Sequence, residues 1–147
     1  MGDSGGITDE QEVIDAVAEA AGAPVKLSVI AHADRLPIVR SVVERTLLID
    51  DWTIDDVADV KLGVDEICSQ MIAASEPDRC VDVSLAVGPR GMTAQIEGWL
   101  DNGFELDTSG FGWRVVETVT DAQSVAYVPG GSNRQVVVRF VKRRATH

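Results

Sequence analysis

Glu66 and Gln70 stand four residues apart in a stretch of helical periodicity, so a carboxylate and an amide project together from one helix face. A solvated helix flank is the plain alternative for such a pair. Farther along, Ser109-Gly110-Phe111-Gly112-Trp113 places two glycines where a helix opens. Backbone N–H groups at a helix N-terminus, with no Cβ in the way, suit a phosphate, although a hinge before a helix has the same composition. Asp101-Asn102-Gly103 reads as an acidic Asx-type turn. Arg40, flanked by Val39 and Val42-Val43, offers a planar fork that pairs with a carboxylate, either on a partner or at Glu44 one turn along its own helix. His32 and His147 are too few and too scattered for zinc, and neither cysteine has a ligand at motif spacing. No GxSxG elbow or Walker loop occurs. Trp52, Trp99 and Trp113 read as core or rim residues rather than stacking platforms.

The elements that must position these residues follow from periodicity. Thr8-Asp9-Glu10-Gln11 is a capping box, and Val13, Ile14, Val17, Ala20 and Ala21 recur at helical spacing until Gly22 and Pro24. Residues 1–23 are therefore a tail with a short amphipathic helix, whose apolar face packs on its own domain or on a second copy in a homodimer. Val25 to Ala31 alternates as a strand. Asp34 can cap the next helix, which tolerates Pro37 in its first turn and carries the stripe Leu36, Val39, Val43 and Leu47. Thr53 starts a longer helix with Val57, Val60, Val64, Ile67 and Met71 on one face, ending near Ser75. Val81–Val87 and Met92–Leu100 form a hairpin about Gly88-Pro89-Arg90-Gly91. A loop leads to a helix at Trp113–Val119, and Ser124–Val128 and Gln135–Val141 close as a hairpin about Pro129-Gly130-Gly131. This order predicts one α/β (α+β) domain over 24–147, a two-layer sandwich of a mixed β-sheet with helices on one face.

The formal net charge of −11 argues against direct nucleic-acid binding through phosphate neutralisation. Eighteen acidic and six basic residues fall within 1–82, so the surplus acid sits in the first half and suits a basic protein partner. No apolar run approaches the roughly 20 residues of a membrane span, and MGDSGGITDEQE has neither the basic nor the apolar region of a signal peptide. A cytoplasmic protein with reduced thiols is expected.

The stretch Leu27 to Gln70 (LSVIAHADRLPIVRSVVERTLLIDDWTIDDVADVKLGVDEICSQ) resembles the first strand and two helices of RsbW-type anti-sigma serine kinases of the GHKL ATPase superfamily. Asp101-Asn102-Gly103 is similar to the start of that family's DxGxG box, and Ser109-Gly110-Phe111-Gly112 to the SGxG turn that closes its ATP lid. The resemblance implies a Bergerat ATPase-like fold, Glu66 as general base toward an attacking serine hydroxyl, and Gln70 at the position of the Mg²⁺-holding Asn. It further implies Asp101 and Gly103 at the adenine, Gly110 and Gly112 at the phosphates, and Arg40, with Leu36 and Val43 nearby, toward a sigma factor. Three departures weaken the ATP and Mg²⁺ part. Gln70 carries one methylene more than Asn, Glu105 puts a negative charge at the second Gly of the box, and only six residues separate Gly103 from Gly110. The expectation is an anti-sigma factor, antagonised by a STAS-type anti-anti-sigma protein, with its ATP and Mg²⁺ site weakened or lost. An active serine kinase, or a GHKL-like ligand sensor without a sigma partner, remain the alternatives.

Overall fold

The structure, a computed structural model, describes residues 5–101, 103–128 and 133–144, with side chains from residue 10 onward. Helix α1 spans Gly5–Ala20, strand β1 Val25–Ile30, helix α2 Leu36–Ile49 and helix α3 Ile54–Ala74. Strands β2 (Cys80–Gly88) and β3 (Gly91–Leu100) precede helix α4 (Phe111–Val119), and β4 (Ala122–Val128) and β5 (Arg134–Arg143) end the fold. The turn expected at Pro129-Gly130-Gly131, like Asn102 and His147, lies outside the described residues. No helix among the described residues is long and apolar enough to cross a membrane.

The sheet order is β1-β2-β3-β5-β4, and every neighbouring pair is antiparallel, not mixed as expected. The reason lies in the crossovers. Two helices separate β1 from β2, and the cross-pairs Arg40–Asp65 and Glu44–Lys61 show that α2 and α3 run antiparallel. A pair of antiparallel helices returns the chain so that β2 must run back along β1. Only α4 separates β3 from β4, which keeps those two strands in one direction, but β5 inserts between them and pairs antiparallel with both.

The core lies between the sheet and α2, α3 and α4. Val39, Val43, Leu47, Val60, Val64, Ile67 and Met71 from the helices meet Val81, Val83, Leu85, Ile96, Val138 and Phe140, all essentially fully buried. Thr53 caps α3 by accepting a hydrogen bond from the Asp56 N–H at 3.2 Å. Asp34 caps nothing; it sits in a 3-10 turn, Ala33–Arg35, that leads into α2. Gly91 has φ +151°, and a Cβ there would fall 2.5 Å from the Lys142 carbonyl, so the two-residue turn Pro89-Arg90 closes only with glycine at this end.

Within residues 24–147 the helices α2, α3 and α4 share one face as expected, and helix α1 packs on the other face of its own domain's sheet. Ile14 and Val17 pack with Ala122 and Val141, and Val141 points away from its neighbours Phe140 and Lys142, which face α3. Asp15 pairs with Arg139 at 3.2 Å, and the Gly22 N–H donates to the Val87 carbonyl at 3.0 Å. The helix begins at Gly5, three residues before Thr8, so the capping box falls inside it.

Burial separates the two cysteines. Cys68 is enclosed in α3, and burial, followed by the nearby Asp65 charge, pushes its thiol up to about 12, whereas Cys80 is exposed at the start of β2. Iodoacetamide at neutral pH is expected to alkylate Cys80 alone in the native protein, and both thiols after denaturation. Mass spectrometry showing native modification of Cys68 would mean that α3 does not pack as described.

Candidate functional site

Glu66 and Gln70 lie one turn apart on α3, facing the first turn of α4. A Cβ on Gly112 would stand 2.6 Å from Glu66 Oε1 and 3.6 Å from Gln70 Nε2, so glycine is what lets the α4 N-terminus settle against the pair. A Cβ on Gly110 would collide with the Asp107 carboxylate. Gln70 is fully engaged: its Oε1 accepts from the Asp107 N–H at 2.9 Å, and its Nε2 donates to the Asp107 carbonyl at 3.4 Å. The amide thus pairs with the loop backbone much as a neighbouring strand would, and this use of the extra methylene was not visible in the sequence.

The same loop is tied down elsewhere. Leu106 is buried, and its N–H donates to the Tyr127 hydroxyl at 3.0 Å. Arg134 donates to the Phe104 carbonyl at 2.8 Å and pairs with Glu105 at 3.5 Å, so the Glu105 charge is met by a guanidinium. Asp107 accepts from the Ser109 N–H and hydroxyl, both at 3.0 Å, and these bonds, with a further one from the Gly110 N–H, hold its carboxyl below the usual carboxylate value. A depressed carboxylate stabilises its turn above its unfolded value, and the contribution disappears as pH falls through the lower folded value. An NMR titration of Asp107 should therefore have its midpoint below the ordinary value of about 3.9, with the Ser109 amide moving in step. A midpoint at or above that value would mean that the Asp107–Ser109 turn does not form.

Asp101 follows β3, and its N–H donates at 2.9 Å to the carbonyl of Ala74, the last residue of α3, two turns or about 12 Å of helical rise beyond Glu66. Its Oδ1 is buried without a hydrogen-bond partner. Gly103 follows with φ +90° and open space where a Cβ would stand. The site thus has two unlike ends. At one, a buried acceptor suits an N–H donor such as an exocyclic amine. At the other, the residues do not suit Mg·triphosphate: Gln70's oxygen already holds a backbone N–H, and the Glu66 carboxylate lies against the helix N-terminus that would receive phosphates. Among the described residues no group of three or more acidic, His or Cys side chains could hold a metal ion.

The surface of α2 and α3 differs from expectation. Arg40 Nε donates to Asp65 Oδ1 at 2.7 Å, across to α3 rather than along its own helix, and that bond and the Asp65 charge raise its pKa. Glu44 pairs with Lys61 at 2.9 Å. Leu36 and Val43 are not surface residues: they are 9% and 0% exposed and belong to the core stripe. Arg40 neighbours both at helical spacing but stands at the edge of that stripe, which turns inward. The apolar residues left outward are Ile38, Leu48, Ile49, Ile54 and Leu62, with Ile49 and Ile54 75% and 80% exposed. Two adjoining clefts of about 380 and 320 Å³ run beside them, with Lys61 and Ala58 lining both. Asp107, Asp65 and the exposed isoleucines are functional candidates that the sequence motifs do not single out. The DTSG turn signals the first, and the isoleucines' position off the helical stripe signals the last.

No model of a protein family matches the chain. The anti-sigma-F factor RsbW of Mycobacterium tuberculosis, from strains CDC 1551 / Oshkosh and H37Rv, is 30% identical over 99 residues, which is 66% of this chain. The chain covers 58% of the length of those relatives. Among solved structures, a chain of the SiaB–SiaC complex from Pseudomonas aeruginosa superposes with TM-score 0.68 at 7% identity, over 92% of this chain and 97% of that one. A chain with the RsbU and RsbW domains of Rv1364c from Mycobacterium tuberculosis gives TM-score 0.55 at 16% identity, over 85% of this chain and 35% of that one. At these identities the two structures speak for the fold alone. The chain is thus similar in sequence to an anti-sigma factor RsbW and in fold to these two structures.

Proposed function

We propose that the chain is a cytoplasmic anti-sigma factor that sequesters a sigma factor on its α2–α3 face, is displaced by a STAS-type anti-anti-sigma protein, and acts without nucleotide. The observation that carries this reading is the composition of that face on an RsbW-like fold: Leu62 is exposed beside the Arg40–Asp65 ion pair, and Leu48, Ile49 and Ile54 are exposed farther along the same two helices. A charged anchor among apolar groups is the usual make-up of an interface hot spot. Asp51, Asp55 and Asp56, between the two helices and in the first turn of α3, add negative charge there and favour a basic partner. The test is co-elution of the purified chain with each sigma factor of its host, in buffer containing EDTA. One sigma factor should co-elute as a stable complex and be released by one STAS protein; co-elution with none would refute the reading.

Gln70's occupation and the position of Glu66 support loss of the kinase step. Calorimetry with Mg·ATP is expected to give a Kd weaker than about 1 mM, or −4.1 kcal/mol. Gln70→Asn shortens the amide that holds Asp107, and should speed amide exchange at Asp107 without raising ATP affinity. Micromolar ATP binding by the unaltered chain would favour the serine kinase instead. The orphaned Asp101 acceptor favours a second reading, a sensor of a small N–H donor. Saturable adenosine binding that Asp101→Ala abolishes would support it.

A further inference from the structure

Helix α1 does not lie flush along its whole length. Between it and the end of the sheet is a cleft of about 620 Å³, within the size range of small-molecule sites. Val13, Ala16 and Val17 form an apolar wall on one side, and Arg90, Arg143 and Arg144 line the other. Strand register sets Arg90 opposite Arg144, whose N–H donates to the Arg90 carbonyl at 3.3 Å, and Arg143 precedes Arg144 as the partner of Gly91.

These three guanidinium groups are not equivalent. Arg144 is spent within the fold, paired with Asp50 at 2.6 Å and stacked over Trp52. Arg90 and Arg143 are exposed and have no side-chain partner among the described residues. A guanidinium group without a side-chain partner is free to give an arriving anion charge-assisted hydrogen bonds. In a chain of net charge −11 this is a local reversal of sign. Glu12 stands on the rim of the cleft and disfavours a ligand that brings several negative groups. We propose that this cleft binds a small amphiphile with one anionic head, a carboxylate or a phosphate monoester, on a short aliphatic body. The head pairs with Arg90 and Arg143, and the body lies against Val13, Ala16 and Val17, bracing α1 on the sheet. The apolar wall of the site belongs to α1, on the other face of the sheet from α2 and α3, and the proposal does not rest on the anti-sigma reading.

The test is calorimetric titration of the full chain with sodium decanoate and with decyl phosphate below their micellar concentrations. Decanol, acetate and inorganic phosphate serve as controls, and thermal melts run in parallel. Saturable one-to-one binding of decanoate or decyl phosphate is expected, at least about tenfold tighter than any control, with a higher melting temperature. Arg90→Ala and Arg143→Ala should each weaken it about tenfold or more, the loss of a charge-assisted contact, and Val13→Asp should abolish it. Arg90 lies on an exposed turn, so its variant carries the test if another fails to fold. Absence of saturable binding would overturn the proposal. So would decanol matching decanoate, acetate or phosphate matching it, or indifference to both arginine variants. Preferential binding to phosphatidylglycerol vesicles, or to an acidic peptide, over the free amphiphiles would also overturn it.

Discussion

Ile54→Asp is expected to weaken sigma-factor binding by about a hundredfold or more, or about 2.7 kcal/mol, the scale of an interface hot spot. Ile54 is the first residue of α3 and 80% exposed, so it supports no core contact. An aspartate in the first turn of a helix interacts favourably with its N-terminal dipole. The substitution should therefore leave the melting temperature unchanged or slightly raised, which separates lost binding from lost folding. Leu62→Asp, beside the Arg40–Asp65 pair, should weaken binding in the same direction. Arg40→Ala leaves Asp65 without its partner and should act mainly on the off-rate. Higher salt should chiefly slow association, since steering is screened beyond about 8–10 Å. Surface plasmon resonance distinguishes these effects. Binding indifferent to Ile54→Asp, Leu62→Asp and Arg40→Ala alike would move the interface off this face.

That this face could not be read correctly from the sequence has a physical reason. Local signals were informative. The spacing of Val57, Val60, Val64, Ile67 and Met71 located α3 and its buried side, Thr53 marked its start, and Gly88-Pro89-Arg90-Gly91 marked the β2–β3 turn. Likewise Glu66, Gln70 and Gly112 do come together, as expected from the order of the motifs. What depends on pairing between distant residues was not legible. Arg40 was offered Glu44 four residues away, but its partner Asp65 is 25 residues on, fixed only when α2 and α3 pack. Leu36 and Val43 were placed on the partner surface because they neighbour Arg40 along the helix, yet a helix has one inward stripe, and they are in it. Strand direction and the face taken by α1 depend on how crossovers close, and neither leaves a local mark. Gln70 read as a shifted metal ligand because its true partner, the Asp107 backbone, carries no side-chain signature.

Phe140→Ala should destabilise the fold by about 3–5 kcal/mol, the range for truncating a buried phenylalanine. Phe140 is fully buried on β5, and its ring reaches α3 at Gly63, where a Cβ would stand 3.6 Å from it. The glycine brings α3 close to the sheet and to Val119 and Thr120, so the neighbours have little freedom to collapse into the space left behind. Thermal denaturation should show a fall in Tm of about 10 °C or more. Val137→Ala, on the other face of the same strand and only partly buried, is the control and should cost far less. Similar losses for both would contradict the division of β5 into a face against α3 and a face away from it.

We propose that the chain holds a sigma factor without nucleotide. Calorimetry of the full chain with its co-eluting sigma factor, once in EDTA and once with saturating Mg·ATP, tests it most directly. The predicted result is one-to-one binding with the same Kd, within about twofold, under both conditions, and no phosphorylation of the STAS antagonist in the second. Binding that appears only with Mg·ATP, or transfer of phosphate to a serine of the antagonist that Glu66→Gln abolishes, would contradict it.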